Sequence, residues 1–169
     1  MFITSKIPCS EHSHRFPNPM TKAAATKFLT DDLEQMGLTY IDLMLVHWPC
    51  VTAAETAAVW SAMEDMLESK QLRALGVSNF KQADIEALAA SATVQPAVNQ
   101  CSMAAGKTDD ATLAYCQAHN ITYEACERNR SLPSSLTLCG GGSGANALAS
   151  FWQRAMLGLG RDRAGQLSA

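Results

Sequence analysis

The feature that most constrains this chain is an alternation. Between residues 2 and 125, five short runs rich in apolar or β-branched residues are separated by stretches with the signature of helices. The runs are "FITSK" (2–6), "YIDLMLV" (40–46), "RALGVS" (73–78), "PAVNQ" (96–100) and "ITYEA" (121–125). Between the first two, Phe28, Leu29, Leu33 and Met36 recur at helical spacing, with Thr21 placed as N-cap and Gly37 where a helix C-terminus favours glycine. Thr52 and Glu55 have capping-box spacing, and Val59, Trp60, Met63, Met66 and Leu67 form one apolar face, which predicts a helix over 53–69. Asn79 is placed to cap a short helix carrying Ile85 and Leu88. Thr108, followed by Asp109 and Asp110, opens a fourth helix running to Ala118, because acidic residues suit the positive end of the helix dipole.

Strands separated by helices in this way lie parallel, with the crossovers on the outside of the sheet. The class is α/β. Two architectures meet the pattern: an open doubly wound sheet, and part of a barrel of eight such units. In both, ligands bind beyond the carboxyl ends of the strands, so the residues standing there are the candidate site. They are Lys6, His47, Ser78 with Asn79, and Gln100. Any strand must stop at something polar, but four successive ends supplying a cation, an imidazole, a hydroxyl and two amides make a chemically coherent rim. A neutral imidazole can orient a carbonyl oxygen, and a buried lysine can lower the pKa of a neighbouring proton donor. Side-chain amides suit a carboxamide, which offers both donor and acceptor, and nicotinamide carries that group. Trp48 is then either an apolar wall of a substrate pocket or a core or interface aromatic, and the sequence favours neither.

Composition excludes other classes. The residues are 47 % hydrophobic and 17 % charged, ordinary for a globular protein, and the net charge of −3 provides no basic field for nucleic acid or an anionic membrane surface. No apolar run approaches the length of a spanning helix, and the first residues lack a positive segment followed by an apolar one. A soluble, cytoplasmic protein is expected. On that ground the six cysteines are expected to be reduced thiols rather than a disulfide framework. Cys9, His12 and His14 lie close together in a loop, but three ligands without a fourth do not define a zinc site, and no metal is expected. Cys116 reads as a small packed hydrophobe, and Cys101 as a residue near the rim with no neighbour in sequence to lower its pKa.

In order and spacing, "FITSK", "YIDLMLVHWP", "RALGVSNF", "PAVNQ" and "ITYEA" resemble the aldo-keto reductase family over residues 2–125. The resemblance implies a (β/α)8 barrel that binds NADPH and reduces aldehydes and ketones to alcohols. It implies that this chain holds a partial barrel of about five strands and four helices in residues 1–126. Lys6 matches the family's catalytic lysine and His47 its catalytic histidine. Ser78, Asn79 and Gln100 match the residues that hold the nicotinamide carboxamide, and Trp48 matches a substrate-pocket tryptophan. The family's aspartate and its tyrosine proton donor precede the lysine strand and have no counterpart here; the available tyrosines do not replace the donor. At 126 the family's nicotinamide-stacking tyrosine is replaced by Cys126, and there the match ends.

Residues 127–169 are expected to form an unrelated or irregular tail, with one helix over about 145–157. Gly142, Gly144 and Ala147 imitate a dinucleotide fingerprint, but too few residues follow for the second strand and its ribose-binding acid, so a glycine linker before an amphipathic helix is the better reading. Two functional classes follow: an NADP(H)-dependent reductase of small carbonyl substrates, represented by a truncated, weakly active or inactive form; and a non-catalytic barrel remnant that binds nucleotide weakly or self-associates through exposed sheet edges. A third possibility, an open α/β domain of another kind, is disfavoured because no glycine-rich turn follows "FITSK".

Overall fold

A computed structural model describes residues 1–9, 19–102 and 109–126. The elements alternate in chain order: β1 (Thr4–Ile7), α1 (Lys22–Met36), β2 (Leu43–Val46), α2 (Ala53–Glu68), β3 (Leu75–Ser78), α3 (Gln82–Ala89), β4 (Val98–Ser102), α4 (Asp110–Ala118) and β5 (Thr122–Cys126). The sheet order is β1-β2-β3-β4-β5, with each strand beside its neighbour in sequence. Pairing is parallel from β1 through β4, and β5 joins through Thr122, whose N–H donates to the Ala97 carbonyl at 2.9 Å. This is a partial (β/α)8 barrel rather than a doubly wound sheet, because consecutive strands added in one direction never reverse the strand order. All these residues except Cys126 belong to one unit, Met1–Ala125; the second unit, Cys126–Ala169, contains the predicted tail, its 145–157 helix and the Gly142–Gly144 loop, which lie outside the described residues.

The helix ends follow local chemistry. Thr21 caps α1 through its hydroxyl, which accepts from the Ala24 N–H at 3.2 Å, and Gly37 closes the helix at φ +64°, a conformation favouring glycine. The Thr52–Glu55 capping box opens α2, each side chain reaching the other's backbone N–H at 3.2 and 3.0 Å. Two expected caps move. The N-cap of α3 is Lys81, whose N–H donates to Asp84 at 2.9 Å, and not Asn79; α4 is capped by Asp109, which accepts from the Thr112 N–H at 3.1 Å. Asn79 cannot cap a helix beginning at Gln82 because it sits two positions too early, and it adopts φ +60° to turn the chain out of β3.

Alternation along the strands separates two faces. Ile7, Met44, Val46, Leu75 and Val77 face the helices and join Leu29, Leu33, Val59, Trp60, Met63, Ile85 and Leu88 in the main core. Lys6, Leu45, Gly76 and Val98 stand in register on the opposite, inner face. A Cβ at Gly76 would lie 2.6 Å from Leu45 Cδ2 and 2.8 Å from the Val98 carbonyl oxygen, so only glycine lets the Leu45 side chain cross this row. At the amino ends, the polar interruption of the "YIDLMLV" run has a structural role. Asp42, 7 % exposed, accepts from the Ile3 N–H at 3.0 Å and from Arg73 at 3.1 Å, while the Arg73 guanidinium lies 3.6 Å over the Tyr40 ring. One carboxylate thus ties the starts of three successive strands. No helix among the described residues is long and apolar enough to cross a membrane.

Candidate active site

The parity of the strands decides which strand-end side chains can meet. Leu43, Leu45 and His47 share one parity on β2, Gly76 and Ser78 on β3, and Val98 and Gln100 on β4; Lys6 is in register with Leu45. All four polar groups therefore project from the inner face at its carboxyl rim.

Their contacts show how far the sheet curls. Three strand spacings in a flat sheet would separate β1 from β4 by roughly 14 Å. Yet the Lys6 ammonium donates to Gln100 Oε1 and lies 3.5 Å from Ser78 Oγ. Lys6 and Gln100 meet across the concavity because the sheet is bent into an arc of a barrel, as strand closure requires. Ser78, 1 % exposed, donates its hydroxyl to the Gln100 carbonyl at 2.8 Å and accepts from Asn79 Nδ2 at 3.1 Å. The Asn79 amide also donates to the His47 carbonyl at 3.0 Å. The left-handed backbone at Asn79 makes this possible: by strand alternation residue 79 would face the helices, and the turn brings its amide back to the rim.

The backbone of His47 is fixed by the ladder, with its N–H donating to the Ile7 carbonyl at 2.9 Å. Its imidazole is held below the ordinary histidine pKa, first by burial and second by the Lys6 charge. At neutral pH the ring is accordingly neutral, with one nitrogen to donate and one to accept. Trp48 resolves the choice left open by sequence in one respect: it is 46 % exposed, so it is not a core aromatic, and its ring centroid is 6.3 Å from that of His47. Tyr123 packs against the helix-side core. Burial and the adjoining Cys101 thiol raise its pKa.

The cysteines depart from expectation. Cys101 and Cys116 are buried free thiols with pKa values raised chiefly by burial, but Cys9 and Cys50 form a disulfide. Compartment and irregular spacing argued for reduced thiols throughout; the register of two parallel strands overrides that argument. Ile7 pairs with Val46, so the residues just beyond them run side by side and bring the two Cα atoms within 4.6 Å, a bridging distance. A separation of 41 residues gave no local signal of it. Among the described residues, no group of three or more acidic, histidine or cysteine side chains could hold a metal; His12 and His14 lie outside them.

Comparison with known proteins places the fold. A glyoxal reductase from Bacillus subtilis is 34 % identical over 125 residues, covering 74 % of this chain and 42 % of the relative. The NADPH-dependent codeinone reductase 1-2 of Papaver somniferum is 30 % identical over 140 residues, covering 74 % and 41 %. Among solved structures, the aldo-keto reductase MGS-M4 from a Medee basin deep-sea metagenome library superposes with a TM-score of 0.65 at 27 % identity, covering 74 % of this chain and 43 % of that one. The chain thus spans only about two fifths of the length of the curated relatives it matches, 41 to 42 % for the first three. The family model "Aldo/keto reductase family" matches residues 1–126, the same stretch that carries all five strands, and the chain belongs to that family.

Proposed function

We propose that residues 1–126 form the nicotinamide-facing arc of an NADPH-dependent reductase of aldehydes and ketones. The observation that carries the reading is the convergence of Lys6, His47, Ser78, Asn79 and Gln100 on one rim of one sheet face. The donor set suits a carboxamide: the Ser78 hydroxyl is hydrogen-bonded to the Asn79 amide, the Gln100 amide meets the Lys6 ammonium that lies 3.5 Å from Ser78 Oγ, and together they supply both donors and acceptors. When bound, the dinucleotide supplies the hydride. Ser78, Asn79 and Gln100 would hold its carboxamide. His47, neutral at physiological pH, would donate a hydrogen bond to the carbonyl oxygen and set its orientation. Lys6 contributes a fixed positive charge beside the developing alkoxide, and Trp48 an exposed apolar surface for the substrate. The similarity to an NADPH-dependent codeinone reductase of poppy and to a glyoxal reductase of Bacillus supports these assignments. A cytoplasmic location is part of the same reading.

A second reading has an observation of its own. No residue of the 169 matches the tyrosine proton donor that the resemblance calls for, and Lys6 already engages Gln100 and Ser78, the groups proposed for the carboxamide. Under this reading the chain by itself turns over weakly or not at all, binds nucleotide weakly, and self-associates through the edges of its sheet. NADPH fluorescence titration of the purified chain separates the two. Saturable binding that is lost in Asn79→Ala, and also in Asn79→Gly, which tolerates the left-handed backbone, supports a functioning nicotinamide arc. His47→Ala should leave nucleotide binding largely intact, because its proposed role is toward the carbonyl. Absence of binding by the unaltered chain supports the remnant.

A further inference from the structure

The Cys9–Cys50 bridge occupies a particular place. Cys9 follows Lys6 by three positions at the end of β1, and Cys50 follows His47 by three at the end of β2. The bond therefore joins the two segments that leave the rim immediately after the lysine and the histidine. The surrounding contacts run in the same direction. Cys50 donates its N–H to Thr56 Oγ1 at 3.1 Å, and Met20, which precedes α1, donates its N–H to Glu55 Oε1 at 3.3 Å. Lys22 at the start of α1 pairs with Asp65 of α2 at 2.7 Å. The β1–β2 ladder, in which Ile7 pairs with Val46 and the His47 N–H donates to the Ile7 carbonyl at 2.9 Å, holds the two segments side by side independently of the sulfur bond, so the sulfurs stay close whether or not they are bonded. That is what a reversible couple needs: the dithiol remains prepositioned for reoxidation.

We propose that Cys9 and Cys50 are a dithiol–disulfide couple that clasps the chain just beyond Lys6 of β1 to the chain just beyond His47 at the end of β2, so that oxidation state sets the rigidity of the rim. The two sulfurs differ in access: Cys9 is 4 % exposed, whereas Cys50 is only partly buried. A thiolate of a small thiol reductant such as glutathione attacks the Cys50 sulfur. The Cys9–Cys50 bond breaks, a mixed disulfide forms on Cys50, and Cys9 leaves as a thiolate that takes up a proton. A second reductant thiol then attacks the mixed disulfide, releasing the Cys50 thiol and the oxidised reductant. Two electrons and two protons pass to the protein, and one disulfide is exchanged for another. Oxidised glutathione drives the reverse reaction. Cys101 and Cys116 do not compete, since both are buried, with thiols that burial keeps protonated.

The test uses the full chain and requires no nucleotide, so its outcome is independent of the functional reading above. The protein is equilibrated in glutathione buffers of graded reduced-to-oxidised ratio, acid-quenched, alkylated, digested without reductant and analysed by mass spectrometry. Alkylation of Cys9 and Cys50 is expected to rise together at one buffer ratio, with loss of a single Cys9–Cys50 cross-linked peptide. In parallel, hydrogen exchange of the 43–51 segment, which includes the His47 amide bonded to Ile7, is expected to speed up about fivefold on reduction while the amides of α3 do not change. Cys50→Ser should exchange like the reduced protein in every buffer; the wild type compared with itself covers the case in which that variant fails to fold. Full alkylation of both residues in the most oxidising buffer, or a bridge whose reduction leaves exchange over 43–51 unchanged, overturns the proposal.

Discussion

His47 illustrates how a single position acquires its chemistry from neighbours the sequence does not place beside it. Its ring is depressed in pKa by burial and then by Lys6, which stands 41 residues away in sequence and on the adjacent strand. The sign of the pH effect follows. A histidine whose folded pKa lies below its unfolded value binds fewer protons when folded, so its contribution to stability is complete above about pH 6.5 and is lost as pH falls through the folded pKa. His47→Gln is therefore expected to lose less stability than wild type between about pH 8 and pH 5.5, measured as the difference in urea midpoint at each pH. An identical drop in both proteins would show that the imidazole is not desolvated in this way. The candidate side chains themselves were legible, because each closes a β-rich run and the parity of a strand is written in its sequence. Two residue-level facts were not. That Lys6 reaches Gln100 depends on curvature, which has no local code, and Asn79 reads as a helix cap until its left-handed backbone is known.

At the level of elements, helices were easier to delimit than strands because their ends are chemically marked. Thr21, Gly37 and the Thr52–Glu55 pair stand where expected, and α2 runs over Ala53–Glu68 against an expected 53–69. The strands shift by one to three residues: "FITSK" contributes Thr4–Ile7, and "YIDLMLV" only Leu43–Val46, since its first residues serve the Asp42 tie instead. Hydrogen-bond partners fix a strand's limits, and those lie on other elements. The exposed capping box of α2 offers a clean measurement. Thr52→Ala removes the acceptor for the Glu55 N–H and should lower stability by about 1 kcal/mol in urea denaturation, with an unchanged m-value. A loss below a few tenths of that figure would mean that packing alone holds this helix end. The disulfide between the β1 and β2 ends belongs to the same scale, and it was illegible for the same reason: it is a property of register, not of spacing.

For the whole molecule, the alternation of the five units fixed the class, while the choice between an open sheet and a barrel arc rests on strand order. In the family-matched stretch the sheet ends at β1 and β5, and Met1 and Phe2 ahead of β1 are exposed, Phe2 by 50 %. Unpaired strand edges recruit partners. Under the self-associating reading, light scattering should give a weight-average mass that rises with concentration above the 18.1 kDa of one chain. A mass constant at one chain over a wide concentration range would remove that reading and leave the nucleotide-binding one. The reach of Lys6 over the concavity has a further implication for any guest. The lysine spans the first and fourth staves, and under the proposed reading a carboxamide N–H seated at Gln100 Oε1 competes with the ammonium that already donates there. Under that reading the guest's gain is net of the contact the ammonium gives up, so affinity for the carboxamide is set by an exchange of partners rather than by an added bond.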